Sequence, residues 1–310
     1  KAALNIFGRD YKKIRLSYHL DRLGLYYALV HGSRSPDLLI EEDVLDGHLK
    51  GYKVAYWVGD CIDPRLLKPL EEWVAQGGHW VATAGAFQFD QYHRPITEGI
   101  ALLGLKSAKL NEKERFFRPQ IEMPRLVPLD FIENMPVFAA TDQIETGPDA
   151  KAVASFKSGA PAVVERILGK GKITFIAALP GVTYLWSAYQ PPPVPSRGPS
   201  SHMQLANFNK DAGRWILEPT KEVHSNVETE GAWIDARLLK SSRTRDYAIP
   251  LANYSADTQK PVTMTIRGVK GITKVISANQ GELKVERVGD DTVKINYATG
   301  LGDILRIEAP

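Results

Sequence analysis

The spacing of apolar residues in the first half of the chain alternates between helical periods and short continuous runs. Between residues 16 and 30 the apolar side chains recur every three or four positions, which predicts an amphipathic helix ending at Gly32. Short apolar runs at 37–40, 53–58 and 79–84 predict three buried strands, with Glu41 to Asp43 as the polar exit of the first. The predicted buried face of the helix consists of Leu16, Leu20, Leu23, Tyr27 and Val30.

A second helix is predicted between the second and third strands. Asp63 followed by Pro64 is typical of an N-cap and a first helical position, and Gly77-Gly78 ends the segment. Pro69 lies inside this pattern and predicts a kink. Helices that alternate with strands at this spacing indicate an α/β fold with a doubly wound, mostly parallel sheet.

The pattern loosens beyond Gly104 and then predicts strands at 151–156, 162–167 and 172–178. Glycine-containing turns join them, so we expect antiparallel additions at one sheet edge. The proline- and serine-rich stretch Gln190 to Ser201 predicts a linker, followed by a helix at 209–217 that packs on the first domain. The predicted domains are an α/β domain at 1–189, the linker and helix at 190–221, and a C-terminal domain at 222–310.

Period-two alternation dominates the last 90 residues. Apolar residues occupy every second position at 262–266, 293–297 and 305–307, and turn signals such as Asn279-Gln280-Gly281 separate the runs. This alternation of short strands and turns predicts a small antiparallel β-sandwich. Asn253-Tyr254-Ser255 also fits a glycosylation sequon, which is uninformative without knowledge of the host.

Composition narrows the list of partners. The net charge of +3 is small and dispersed, so neither nucleic acid nor an anionic membrane is an expected partner. No apolar run approaches the length of a membrane helix, and Lys1 to Tyr11 lacks the apolar core of a signal peptide, so we expect a soluble protein. The chain opens without Met, which is expected of a processed product or a piece of a longer protein.

Several segments resemble a known family. LYYALVHG (25–32), IEEDVLDGHLKGYKVAYWVGD (40–60) and LEEWVAQGGHWVATAGA (70–86) are similar to the glutamine-amidotransferase-like middle domain of family-42 β-galactosidases, called the trimerisation domain. ASFKSGAPAVVERILGKGKITFIA (154–177) resembles its closing hairpin. The resemblance implies a flavodoxin- or amidotransferase-like sheet followed by a glycosidase-type sandwich. It also implies homo-oligomerisation and favours a periplasmic or extracellular location.

The resemblance can be tested at the catalytic positions. In class I amidotransferases a cysteine on a strained turn is activated by a histidine and a glutamate near a later strand. Here Ala84 stands where the cysteine is required, and Leu179 and Gly181 stand at the positions of the other two. The triad is missing, so glutamine hydrolysis by this route is excluded under this alignment. We also expect no cofactor.

Polar residues near the predicted strand ends are the candidate site. Asp60, Asp90 and His93 are the candidate acid and base groups, and Asp60, Cys61, Thr83, Gly85, Asp90, Tyr92 and His93 are the candidate ligand-binding residues. The competing interpretation makes 90–95 a solvated loop in which Asp90 caps a helix near Pro95. Cys61 lies beside Asp60 and Asp63, which disfavour a thiolate.

Other motifs predict little chemistry. Glu41, Glu42 and Asp43 are expected to form a solvated acidic turn, Lys106 to Arg118 a charged surface loop, and the seven histidines lack metal-binding spacing. The sequence therefore favours a non-catalytic scaffold or oligomerisation portion of a β-galactosidase-related protein. The alternatives are a hydrolase with a re-invented site at the strand ends and a carbohydrate-binding module, with carbohydrate as a further expected partner.

Overall fold

The structure is a computed structural model that describes residues 15–112, 127–189, 207–242, 246–255 and 257–309. The chain is mixed α/β, with several sheets and few helices, and it divides into two compact units. Among the described residues, unit 1 comprises 15–25, 37–189 and 208–219, and unit 2 comprises 26–36, 207 and 220–309. The predicted linker Gln190 to Ser201 and the segment Lys1 to Tyr11 lie outside the described residues.

Six α-helices occur in the described part of the chain. Their bounds are α1 Arg15–His31, α2 Glu41–Leu45, α3 Leu67–Ala75, α4 Glu98–Leu102, α5 Pro180–Trp186 and α6 Lys210–Leu217. The strands of unit 1 are β1 Val54–Trp57, β2 Cys61–Ile62, β3 His79–Thr83, β4 Phe89–Asp90, β5 Leu105–Glu112, β6 Asp130–Ile132, β7 Met135–Val137, β8 Ala140–Thr146, β9 Ala150–Ser155, β10 Pro161–Leu168 and β11 Gly171–Ile176.

The main sheet of unit 1 has five strands in the order β1-β3-β11-β10-β9. β1, β3 and β11 run parallel, while β10 and β9 are antiparallel additions. The expectation that all three strands after residue 150 add at an edge is therefore wrong for β11, which lies in the centre of the sheet. Its residues Ile173 to Ile176 are buried, as both faces of a central parallel strand require.

The first predicted strand does not form. Residues 34–40 have no regular structure, and Glu41, Glu42 and Asp43 belong to α2 instead of a strand exit. The carboxylate of Asp43 accepts a hydrogen bond from the backbone N–H of Ile40 at 2.9 Å, and Glu41 Oε1 accepts from the N–H of Asp63 at 3.3 Å. Side chains that cap a helix start compete with strand pairing, which explains the difference.

Pro69 lies in the first turn of a helix and not in its interior. A 3-10 turn at Pro64–Leu66 begins the segment, capped by the Asp63 carboxylate on the N–H of Arg65, and α3 starts only at Leu67. Pro69 is thus the third residue of α3, where a backbone N–H has no intrahelical partner to lose. The sequence also missed the pairing of β5 with β8, so residues 106–112 of the predicted charged loop form a strand. Residues 113–118 lie outside the described residues.

Unit 2 contains two antiparallel sheets with a shared core. The strands are β12 Val227–Glu230, β13 Ile234–Ala236, β14 Leu239–Lys240, β15 Tyr247–Asn253, β16 Val262–Arg267, β17 Lys274–Ser277, β18 Gly281–Leu283, β19 Val285–Arg287, β20 Thr292–Tyr297 and β21 Gly302–Glu308. One sheet has the order β12-β16-β20-β19 and the other β13-β15-β21-β17-β18, with β14 paired to β15. Met264 and Ile295 of the first sheet and Ile249 and Leu305 of the second belong to one buried cluster. The predicted period-two runs supply Met264, Ile295 and Leu305, whereas Ile249 belongs to a strand that the sequence analysis did not predict.

None of the described helices combines the length and apolar character needed to cross a lipid bilayer.

Candidate functional site

The predicted site residues separate into two groups. Asp60, Cys61, Asp90, Tyr92 and His93 come together around the short parallel pair β2–β4, in which Cys61 lies opposite Phe89 and Ile62 opposite Asp90. Thr83, the last residue of β3, and Gly85, which follows it, contact a different set of side chains. We call the first group the β2–β4 cluster and the second the β3 terminus.

Asp90 organises the turn that carries His93. Its carboxylate accepts hydrogen bonds from the N–H groups of Tyr92 (2.8 Å) and Arg94 (2.9 Å) and from Arg94 Nε (2.6 Å). Although burial favours the neutral acid, these bonds hold the pKa of Asp90 below its ordinary value. Asp90 thus caps its own turn and not a helix near Pro95, since α4 begins at Glu98 with Thr97 as its N-cap.

This turn places His93 over Phe89 and towards Asp60. His93 adopts a left-handed backbone with φ 63°, a conformation that is uncommon for a residue with a side chain. Its ring stacks on Phe89 with centroids 4.2 Å apart, and its Nε2 lies 4.0 Å from Asp60 Oδ2. That separation permits an ion pair when the imidazole is protonated but exceeds hydrogen-bond length. A bridging water or hydroxyl group is needed to connect the two side chains.

The remaining members of the β2–β4 cluster differ in their exposure to solvent. Cys61 is the single cysteine of the chain and is 2% exposed, whereas a nucleophilic cysteine needs access to its substrate. Tyr92 is 70% exposed, and the guanidinium of Arg94 lies 5.2 Å from the centre of its ring. The cluster therefore presents one carboxylate, one imidazole and one aromatic ring, while the thiol is buried beneath.

The β3 terminus is filled by the chain itself. Thr83, Ala84 and Gly85 follow one another at the carboxyl end of a central parallel strand, where open α/β sheets bind ligands. Thr83 and Ala84 are fully buried. Gly85 has φ +85°, and a Cβ atom added there would lie 1.9 Å from Tyr18 Oη. Neither space nor exposed polar groups are left at these three residues.

Two buried carboxylates occupy the hydrogen-bond donors of the β3 terminus. Asp21 of α1 accepts from Thr83 Oγ1 (2.9 Å), from the Gly181 N–H (2.6 Å) and from the Val182 N–H (3.3 Å). Asp142 of β8 accepts from the N–H of Gly85 (2.6 Å) and from Gln88 Nε2 (3.0 Å). Burial raises the pKa of Asp21 to about 7 and that of Asp142 to about 6, although the hydrogen bonds act in the opposite direction.

Sequence reasoning missed both carboxylates. Asp21 lies on the face of α1 that also buries Tyr18, Gly24 and Leu25, whereas Leu23 of the predicted face is only partly buried. One signal was available in the sequence: Asp21 lies three residues after Tyr18 and four before Leu25, on the same apolar face of the helix. A charged residue on such a face requires buried partners. Asp142 follows Thr141 in an unrecognised strand, and no local pattern marks it.

Other predicted features have structural roles. The side chain of Asn253 donates to Thr299 Oγ1 at 2.9 Å and accepts from the Ser255 N–H at 2.8 Å, so the sequon amide is buried and occupied. Within the described ranges, no group of three or more His, Cys, Asp or Glu side chains is arranged to hold a metal ion.

Comparison with known proteins identifies the fold. The chain has TM-score 0.60 and 16% identity to a β-galactosidase from Bacillus circulans sp. alkalophilus, covering 97% of this chain and 39% of that one. For a GH42 β-galactosidase from G. stearothermophilus the values are 0.58 and 12%, covering 93% and 36%. An α-L-fucosidase isoenzyme 2 from Paenibacillus thiaminolyticus gives 0.53 and 16%, covering 94% and 45%.

These matches show a fold shared with parts of glycoside hydrolases. The chain spans less than half the length of each of the three matched proteins. No family model matches the sequence, and no curated protein matches it. Folds of this kind host many functions, so function has to be argued from the residues.

Proposed function

We propose that this chain is a non-catalytic, structural portion of a glycoside-hydrolase-related protein. The closed β3 terminus carries this proposal. A ligand at that strand end would have to displace Asp21 and Asp142 from five hydrogen-bond donors. Leaving buried donors and carboxylates unpaired costs about 1–3 kcal/mol for each group, so the arrangement favours a permanently packed core.

The doubly wound, amidotransferase-like character of unit 1 is part of the proposal. Three parallel strands, of which the first two are connected through α3, support it, as does the resemblance of 25–86 and 154–177 to the trimerisation domain. Under that relationship Ala84, Leu179 and Gly181 replace the catalytic residues. Ala84 is buried, Leu179 is the N-cap residue of α5, and the Gly181 N–H is bound by Asp21. A sheet that retains its core without its catalytic groups suits an association surface between copies of the chain.

The experiment measures both the enzymatic activity and the molecular mass of the chain in solution. We expect the purified chain to release no product from p-nitrophenyl glycosides and no ammonia from glutamine, and to show a mass above that of a monomer by light scattering at micromolar concentration. A monomeric chain would contradict the association function. Turnover of either substrate would contradict the non-catalytic function.

A second candidate function is hydrolysis at the β2–β4 cluster. The approach of His93 Nε2 to Asp60 Oδ2 at 4.0 Å favours it, because an imidazole and a carboxylate can serve as general acid and base. If the chain hydrolyses a glycoside or amide, His93→Ala and Asp60→Ala should each abolish turnover. His48→Ala is the matched control, since His48 lies 3.4 Å from Asp43 in a second imidazole–carboxylate pair, outside the β2–β4 cluster. Equal loss in the control would reject this site.

A third candidate is carbohydrate binding. Trp233, Tyr247, Tyr254 and Tyr297 of unit 2 are all at least partly buried, which disfavours a glycan platform on the sandwich. Tyr92 is the exposed aromatic residue that supports this candidate. Glycan-array binding by the intact chain that Tyr92→Ala removes and Tyr247→Ala retains would support it, and absence of binding would reject it.

A further inference from the structure

Two exposed surfaces of unit 1 combine apolar side chains with opposite charge. The first, the acidic surface, comprises Leu38, Ile40, Glu42, Leu45 and Asp46. Leu38 is 75% exposed and Ile40 55% exposed. Residues 37–46 contain five acidic residues and no basic one, of which Glu41 is buried and Asp43 faces His48 at 3.4 Å.

The second surface, the basic surface, comprises Lys151, Val153, Ile167 and Lys170. It lies on β9, β10 and the turn that follows β10. Lys151 lies opposite Glu165 in the β9–β10 register, and Ile167, two residues beyond Glu165, shares that face and is 68% exposed. Glu165 is already paired with Lys172 at 2.7 Å, so the cations around it are in excess.

These surfaces hold most of the exposed apolar side chains of unit 1. Its described residues contain seven large hydrophobic side chains that are exposed. Five of them, Leu38, Ile40, Leu45, Val153 and Ile167, belong to the two surfaces. Exposed apolar residues that gather beside charges of one sign are typical of association sites, whereas scattered single residues are not.

The two surfaces belong to different segments of unit 1. The acidic surface precedes a 3-10 turn, His48–Gly51, that leads into β1, the strand at one edge. The basic surface includes β9, the strand at the other edge. Exposed edge strands such as β9 also offer unpaired backbone groups to a neighbour.

We propose that the acidic surface of one copy binds the basic surface of the next, in a head-to-tail contact. The inference rests on the association function proposed above and names the surfaces that carry it. Contact between two acidic surfaces, or between two basic ones, places like charges opposite each other and is unfavourable. A head-to-tail contact brings Glu42 and Asp46 towards Lys151 and Lys170 while Leu38, Ile40 and Ile167 are buried. Contacts of this type repeat, so they close into a ring or extend as a filament.

Charge reversal on the intact chain tests the contact. Glu42→Lys with Asp46→Lys reverses the acidic surface, and Lys151→Glu with Lys170→Glu reverses the basic one. Each double variant should raise the dissociation constant of self-association by about tenfold or more, measured by sedimentation or light scattering. The chain with all four substitutions should recover association, because its reversed surfaces are again complementary. An equimolar mixture of the two double variants should also associate.

A matched control separates this contact from general effects of charge. Glu286→Lys with Asp290→Lys changes the net charge by the same amount and sign as the acidic-surface variant, at exposed positions of unit 2, and association should be unchanged. Circular dichroism and thermal melting establish that each variant is folded. Leu38→Ser and Ile167→Ser provide second variants for the apolar part and should also weaken association.

The outcomes distinguish the two proposals. A wild-type chain that is monomeric contradicts the association function and this contact together. An oligomeric wild type that neither double variant weakens contradicts the contact and leaves the association function standing. Weakening by both double variants without recovery in the fourfold variant also overturns head-to-tail pairing.

Discussion

At the scale of single residues, Asp21 makes a strong contribution to the pH dependence of stability. It is fully buried, and burial raises its pKa from 3.8 to about 7. The folded protein therefore retains a proton that an unfolded chain releases near pH 4. The stability that this group contributes falls as the pH rises from about 4 to about 7 and is low above that range.

Asp21→Asn should remove this pH dependence while keeping an acceptor for Gly181 and Val182. The difference in unfolding free energy, wild type minus variant, should decrease by up to about 4 kcal/mol between pH 4 and pH 8. Burial lowers the pKa of His31 to about 3 and that of His79 to about 4. These histidines make the unfolding free energy rise with pH, in the wild type and in the variant alike. Their contributions therefore cancel in the difference between the two proteins. Urea titrations across this range measure it, and a pH-independent difference would refute the assignment.

Gly85 is the second residue whose substitution is informative. Gly85→Ala should destabilise through its φ of +85° and through the clash of the new Cβ with Tyr18 Oη. Gly159 has φ +93° and open space, so Gly159→Ala isolates the backbone cost of about 1 kcal/mol. We expect Gly85→Ala to lose at least about 2 kcal/mol more than this control. Tyr18→Phe should recover part of that loss, and no recovery would exclude the clash as the cause.

At the scale of elements, α1 and α5 meet through backbone contact in unit 1. A Cβ on Gly24 would lie 2.0 Å from the Gly181 carbonyl oxygen, and a Cβ on Gly181 would lie 2.0 Å from the Asp21 carbonyl oxygen. The same approach allows Asp21 to reach the first N–H groups of α5. The two glycines therefore let the helices approach closely enough for the Asp21 carboxylate to bind the start of α5.

Gly24→Ala should separate the two helices. Backbone atoms cannot move aside as a side chain can, so we expect a loss above about 3 kcal/mol in chemical denaturation. Gly51→Ala is the control, since nothing lies within 4 Å of its added Cβ, and it should change stability by less than about 0.5 kcal/mol. Similar losses in the two variants would contradict the close approach.

At the scale of the whole molecule, each unit has its own core. Chains that contain two compact units commonly depart from two-state unfolding. Calorimetry should therefore show a calorimetric enthalpy larger than the van't Hoff enthalpy.

Alanine substitutions in the two cores show which unit gives rise to which unfolding transition. Leu66 of unit 1 and Ile249 of unit 2 are both fully buried, and replacing either by alanine should cost about 2–5 kcal/mol. Leu66→Ala should lower the midpoint of one transition and Ile249→Ala that of the other. A single transition that both substitutions lower equally would contradict independent cores.

Local patterns were sufficient for some of the elements. The strands around 54–57 and 79–83, the cap formed by Asp63 and the alternating strands of unit 2 depend on neighbouring residues and burial period, which the sequence displays. The segment 37–40 misled because a short apolar run does not specify whether a partner strand exists. Its exposed Leu38 and Ile40 show that hydrophobicity alone did not bury it.

The sequence by itself determined the mixed α/β composition and the alternating strand pattern of the second unit. Only the tertiary structure decided that β11 lies at the centre of the sheet, that Thr83 and Gly85 are separated from His93 in their contacts, and that Asp21 and Asp142 close the β3 terminus. The reason is sequence distance. Asp21 meets Gly181 across 160 positions, and no local period encodes such a contact.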